Sequence, residues 1–225
     1  TGTWTVITGT ATVTTPGSPG HGVTNLSAGA NRFVWTITNG TCSPSRDTVT
    51  ITRDQPPTTA NAGFDQTACS STANLAGNTP TVGTGTWTVI AGSSAVTTPG
   101  NPASGVTGLS IGANTFVWTI SNGTCTPSRD TVTIMRSSGI TFSASKTDVN
   151  CNGGNDGTIT VTASGGTGAL SYSRDNGVNF QASNVFSNLI AGTYSIVVSD
   201  AAGCISGSQQ VVLTQPATIV ISPAT

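Results

Sequence analysis

Residues able to do chemistry are few in this 225-residue chain: five cysteines, one histidine, eight aspartates and no glutamate. A serine nucleophile needs a basic partner. The single imidazole, His21, sits in the loop-like run Pro19-Gly20-His21-Gly22. No Cys-x-x-Cys pair occurs and no second ligand flanks the histidine, so a zinc site is not expected. The reading is a chain with no catalytic residues and no resident cofactor.

The cysteines offer covalent chemistry. Cys69 and Cys125 are 56 residues apart, and Cys151 and Cys204 are 53 apart. Each pair is expected to close one disulfide, worth roughly 4 kcal/mol in the chain-entropy model. Cys42 is then left over, its partner expected outside this stretch of sequence. Disulfides imply an oxidising, extracellular setting.

One oxygen-rich run invites a calcium test. Asp148-Val149-Asn150-Cys151-Asn152-Gly153 matches the opening of an EF-hand loop, but position twelve is Ile159 where a bidentate Glu belongs. Asp148, Asn150, Asn152, Asn155 and Asp156 remain a weak alternative calcium cluster, against the reading of a Gly- and Asn-rich turn.

These residues are carried by an internal repeat. Thr1–Arg53 matches Thr84–Arg136 at an offset of 83 with no gap, 40 of the 53 pairs being identical. A period of 83 residues suits a whole small β-domain better than a solenoid coil. In the second copy Ser104 stands where the first has His21, so the histidine is not a shared functional group and is expected in an exposed loop. The second copy is preceded by residues 55–83, whose counterpart in the first would lie ahead of Thr1. The chain is therefore expected to be a section of a longer polypeptide. The units are an incomplete repeat at 1–54, a complete one at 55–137, a third of different character at 138–216, and the first strand of another repeat at 217–225.

Composition and periodicity set the fold. Thr, Ser, Gly and Asn make up about half of the residues, and 7% are charged, with net charge −1. Helix formers are scarce, whereas Thr and Val favour strands. Runs such as Thr3-Trp4-Thr5-Val6, Phe116–Ile120, Thr131–Ile134, Thr158–Thr162 and Thr193–Val198 alternate with period two and end at Gly, Asn or Pro. Asp175-Asn176-Gly177 signals a hairpin turn. The expected fold is all-β: tandem immunoglobulin-like β-sandwich domains arranged end to end. The tryptophan pairs Trp4/Trp87 and Trp35/Trp118 are expected in cores. A near-neutral chain has no basic face for nucleic acid, and no apolar run reaches the ~18 residues of a membrane span.

The third unit resembles the SprB repeat of giant gliding-motility adhesins on Bacteroidetes cells, through Cys151-Asn-Gly-Gly-Asn-Asp-Gly157, Gly165-Gly166, Tyr172–Gly177, Leu189–Tyr194 and Asp200-Ala-Ala-Gly-Cys204. Residues 61–136 are similar to the PKD-like, immunoglobulin-like repeats of such proteins, through Gly63–Cys69 and Asn122–Cys125. The resemblance implies export by type IX secretion and display on the cell surface. It implies no catalysis and no particular ligand. Asp47-Thr48-Val49 and Asp130-Thr131-Val132 fit the Asp-Thr/Ser-aliphatic O-glycosylation sequence of exported Bacteroidetes proteins, making Thr48 and Thr131 glycan candidates.

The functional expectation is an adhesive or structural stalk segment of a long extracellular surface protein. Its partners would be neighbouring repeats, and further ones surface glycans or other copies in a filament. Two alternatives stand: a carbohydrate- or protein-binding sandwich, which needs exposed aromatic residues, and a self-assembling filament subunit.

Overall fold

The computed structural model describes residues 1–220, and every regular element in them is a strand. The first unit builds one sheet from β1 (Gly2–Thr8), β4 (Gly29–Ile37) and β5 (Ser45–Arg53), ordered β1-β4-β5, with a small pair β2 (Thr12–Val13) and β3 (Val23–Thr24). The second unit repeats this sheet and enlarges it. β8 (Thr84–Ala91), β11 (Gly112–Ser121) and β12 (Ser128–Arg136) are joined by β6 (Gln66–Ala68), in the order β6-β12-β11-β8. Its second sheet is β7 (Ala73–Asn74), β10 (Gly105–Thr107) and β9 (Ala95–Val96), ordered β7-β10-β9. The third unit has two three-stranded sheets. One is β13 (Ile140–Thr147), β14 (Gly157–Gly165) and β16 (Val185–Leu189); the other is β15 (Ser171–Ser173), β17 (Gly192–Ser199) and β18 (Gln209–Leu213). Among the described residues, no sheet is shared between units. The protein is an all-β tandem of immunoglobulin-like sandwiches. Of the segment 217–225, residues 217–220 form no strand and the remainder lies outside the described residues.

Period-two alternation does what it should in the second unit. Along β11, Asn114, Phe116, Trp118 and Ile120 are fully buried while their neighbours are not. With Trp87, Val132, Ile134, Leu75 and Leu109, the apolar three of these form one core. The indoles of Trp87 and Trp118 pack with ring centroids 4.9 Å apart, and each fully buried side chain of this size contributes about 1.5–3 kcal/mol. A second core in the third unit gathers Ile159, Val161, Phe186, Ile196, Val198 and Leu213. The turn at Asn176-Gly177 forms: both residues have positive φ (60° and 87°), and Tyr172 pairs with Gln181 across it.

The cores contain a polar group that strand patterning does not announce. Asn114 is buried, its Oδ1 accepting from the amide and hydroxyl of Ser110, while its Nδ2 donates to the carbonyls of Ser110 and Gly112. Asn31 makes the equivalent contacts with Ser27 and Gly29. These bonds satisfy backbone groups where the chain turns into β4 and β11, which a buried loop could not otherwise achieve.

Candidate functional site: the junction of the second and third units

The expected cysteine pairing is not the one that forms. Cys69 is bonded to Cys204, across the boundary between units and over 135 residues of sequence, with Cα atoms 5.3 Å apart. Cys42, Cys125 and Cys151 are free thiols. Strand direction explains the correction. β6 runs parallel to β12 and pairs with its far end, Gln66 opposite Ile134 and Ala68 opposite Arg136. Cys69 therefore follows the end of β12, whereas Cys125 precedes its start at Ser128. Eight residue steps at ~3.3 Å put them on the order of 25 Å apart, beyond the ~7 Å that a disulfide tolerates. In the third unit Cys151 sits where Asn152 Nδ2 donates to the Pro216 carbonyl and Gly153 N donates to Gln215, at the start of β14. Cys204 sits by the opposite end of the sandwich, next to Asp200. Cys42, the repeat equivalent of Cys125, is likewise unpaired among the described residues.

Around the disulfide the two units share a polar seam. Ser137 N donates to the Ala68 carbonyl (2.9 Å), and its hydroxyl donates to Asp200 Oδ2 (2.8 Å). Asp200 is 5% exposed. Its carboxylate also accepts from the amides of Thr167 (2.8 Å), Cys204 (2.8 Å) and Ala202 (3.0 Å). Burial pushes the Asp200 carboxyl up, but the Ser137 hydroxyl and the three amides outweigh it, so the group sits below its ordinary value. Gly165 and Gly166 have φ of 84° and 76°, and a Cβ on Gly166 would lie 2.9 Å from that of Asp200. The glycine pair lets the loop close over the carboxylate.

Opposite this seam, the loop before β12 meets the linker from the first unit. Asp54 Oδ2 accepts from the amide and hydroxyl of Thr124 (2.8 and 3.2 Å), and Asn122 Nδ2 donates to the Gln55 carbonyl (2.8 Å). Both joints of the second unit are thus tied by specific bonds.

The other expected residues lie elsewhere. Thr48 and Thr131 are both exposed, on β5 and β12. Asp148 accepts from Lys146 Nζ (2.8 Å) and the Thr214 amide (2.7 Å), and Asp156 accepts from the amide and side chain of Asn150. Hydrogen bonds, from Lys146 first for Asp148 and from Asn150 for Asp156, hold both carboxyls below their ordinary value. In this loop Asn150 Nδ2 donates to Asp156 and Asn152 Nδ2 donates to the Pro216 carbonyl, and no group of three or more His, Cys, Asp or Glu suited to a metal occurs among the described residues. His21 is exposed. Trp87 and Trp118 are at most 2% exposed, which removes them as sugar-stacking platforms. The arrangement couples one domain to the next.

Residues 143–179 match the family model of the SprB repeat. That match covers the first half of the third unit, including the loop of Asp148–Gly157 and the Gly165-Gly166 pair. Comparison with the curated proteins finds no match. Among solved structures, the chain is similar to the N-terminal eight immunoglobulin domains of Down syndrome cell adhesion molecule, at 11% identity and TM-score 0.45, over 96% of this chain and 32% of that one. It is also similar to Sidekick-1 immunoglobulin domains 1–4, at 13% identity and TM-score 0.42, over 96% and 68%. Extracellular domains 3–5 of Drosophila OTK align at 10% identity and TM-score 0.39, over 82% and 70%. Among the described residues, no helix is long and apolar enough to cross a membrane.

Proposed function

We propose that the chain is a stalk segment of a long secreted surface adhesin of the gliding-motility kind, carrying tension and spacing along repeated sandwiches rather than catalysing a reaction. The observation that carries this reading is the covalent joint Cys69–Cys204 between a PKD-like unit and an SprB-type unit. A cross-link between domains resists their separation under pull, and it persists only in an oxidising compartment. The sealed aspartate seam at Ser137 and the Asp54 contacts at the other joint serve the same end. Type IX export and glycans on Thr48 and Thr131 belong to this reading, both threonines being exposed.

Native material tests it. Surface biotinylation of intact cells should label the protein, and reducing denaturing electrophoresis should place its band far above the 22.4 kDa of this chain. An unlabelled band near 22.4 kDa would contradict the reading.

A further inference from the structure

A polar cleft opens in the third unit at the start of β17, whereas Asp200 and the covalent joint follow the end of that strand. Its volume is about 600 Å³, within the ~300–1,000 Å³ of small-molecule sites. Three segments build it: the hairpin turn at Arg174–Asn176, the run Asn188–Ile190 that closes β16, and Thr193–Ser195 of β17. Backbone bonds lock the turn to β17, Asn176 N donating to the Ser195 carbonyl (2.9 Å) and Ser195 N to that of Arg174 (3.2 Å).

Two backbone irregularities meet here. Among the described residues, Asn25, Asn176 and Asn188 have positive φ without being glycine, and two of the three line this cleft (60° and 57°). Asn188 lies in a bulge of β16: Leu189 pairs with Gly157 and Phe186 with Ile159, so Ser187 and Asn188 together oppose Thr158. Bulges re-aim side chains beside sites, and residues held in such backbone regions gather there too. Asn150, Asn152, Asn179 and Asn184 each donate from Nδ2 to a protein acceptor, but the side chains of Asn176 and Asn188 have no protein partner among the described residues, and Arg174 joins no ion pair there.

The rest of the lining is an acceptor and an apolar face. Asp175 Oδ1 accepts from Ser173 Oγ (2.7 Å) and Asn179 N (2.9 Å), and Oδ2 accepts from Asn179 Nδ2 (2.6 Å), which leaves Oδ2 room for a further donor. These bonds, the Asn179 amide first, hold the carboxyl well below its ordinary value, so it is ionised at neutral pH. Tyr194 packs against the core of the unit, and its hydroxyl donates to the Ile190 carbonyl (2.9 Å), which fixes the ring. Ile190 is 60% exposed. A strong donor and a strong acceptor side by side suit a group that does both, as a hydroxyl does. A carboxylate ligand would instead meet Asp175 with like charge.

We propose that this cleft binds a neutral pyranose unit of a glycan. Adjacent sugar hydroxyls bond to Arg174 and Asp175, others to Asn176 and Asn188, and the C–H face of the ring lies against Tyr194 and Ile190. The site adds a ligand to the stalk reading and does not depend on the Cys69–Cys204 joint.

The test records amide NMR spectra of the full chain titrated with methyl α-glucoside, methyl α-mannoside, methyl α-galactoside and N-acetylglucosamine, with glucuronate as the acidic comparison. At least one neutral sugar should shift the Asn176, Asn188 and Tyr194 amides saturably while those of the second unit stay in place. Asn176→Gly and Asn188→Gly remove side chains where the backbone already suits glycine. Combined with Arg174→Ala they should abolish that binding, with unshifted Ile196 and Val198 amides as the check on folding. Neutral sugars that leave the cleft amides unmoved, saturable binding of glucuronate alone, or binding retained in the combined variant would each overturn the proposal. None of these outcomes bears on the electrophoretic test of the stalk, so the two readings fail separately.

Discussion

Cys69 and Cys204 are bonded across a domain boundary, so the second and third units cannot part by more than the flexing of their shared seam. The thiol chemistry of this chain therefore fixes how domains are joined rather than how each domain closes. Peptide mapping without reduction should recover one cross-linked pair containing these two cysteines, with Cys42, Cys125 and Cys151 open to alkylation. The variant Cys204→Ser should uncouple the melting of the two units and cost about 2–4 kcal/mol. A map containing Cys69–Cys125 or Cys151–Cys204 would refute the pairing.

Acid should loosen the same joint. The folded state holds the Asp200 carboxyl below its ordinary value despite burial. A depressed folded value means that the stabilisation is complete above the unfolded value of about 3.9 and is lost as pH falls through the folded one. Hydrogen exchange at the Thr167, Ala202 and Cys204 amides should accelerate below about pH 4 more than acid and temperature alone dictate. Asp200→Ala should destabilise the third unit at neutral pH by roughly 2–4 kcal/mol, because it strands buried donors. A third unit whose stability does not change with pH between 5 and 2 (about the range bracketing a carboxylate) would contradict this.

Much of the fold was legible because it rests on local patterning. The repeat at offset 83, the period-two strands around Trp87 and Trp118, and the Asn176-Gly177 turn all follow from neighbours in sequence. The cysteine pairing was not legible in that way. It depends on β6 running parallel to β12 rather than antiparallel, a non-local choice that moves Cys69 to the opposite end of the sandwich from Cys125. Asn31 and Asn114 were also missed. The signal was present in the identical Leu-Ser-x-Gly-Ala-Asn run of both copies, where an asparagine, poorly suited to strands, occupies an inward position.

That asparagine gives its own prediction. Asn114→Ala removes the acceptor for Ser110 and the donor to Gly112 inside a closed core. The second unit should lose roughly 1–3 kcal/mol in denaturant unfolding, while the spectrum of the third unit stays unchanged. A loss no larger than that of an exposed substitution such as Thr86→Ala would show the asparagine to be dispensable.

Glycans are the remaining covalent expectation. Thr48 and Thr131 occupy equivalent exposed positions with identical flanking residues. Modification should appear on both or on neither, and intact-mass analysis of native material resolves the two cases. Sugar on one threonine alone would show that recognition depends on more than the shared run.

Extension under force reads the covalent joint most directly. Pulled from its two ends with the disulfide intact, the 135-residue span closed by Cys69 and Cys204 cannot lengthen. At 3.3–3.6 Å per residue, the oxidised protein should stop roughly 450–490 Å short of the reduced one. Reduction should release that length in a single added increment. Equal contour lengths before and after reduction would show that no covalent joint ties the second unit to the third, and the proposed stalk would lose the feature that supports it.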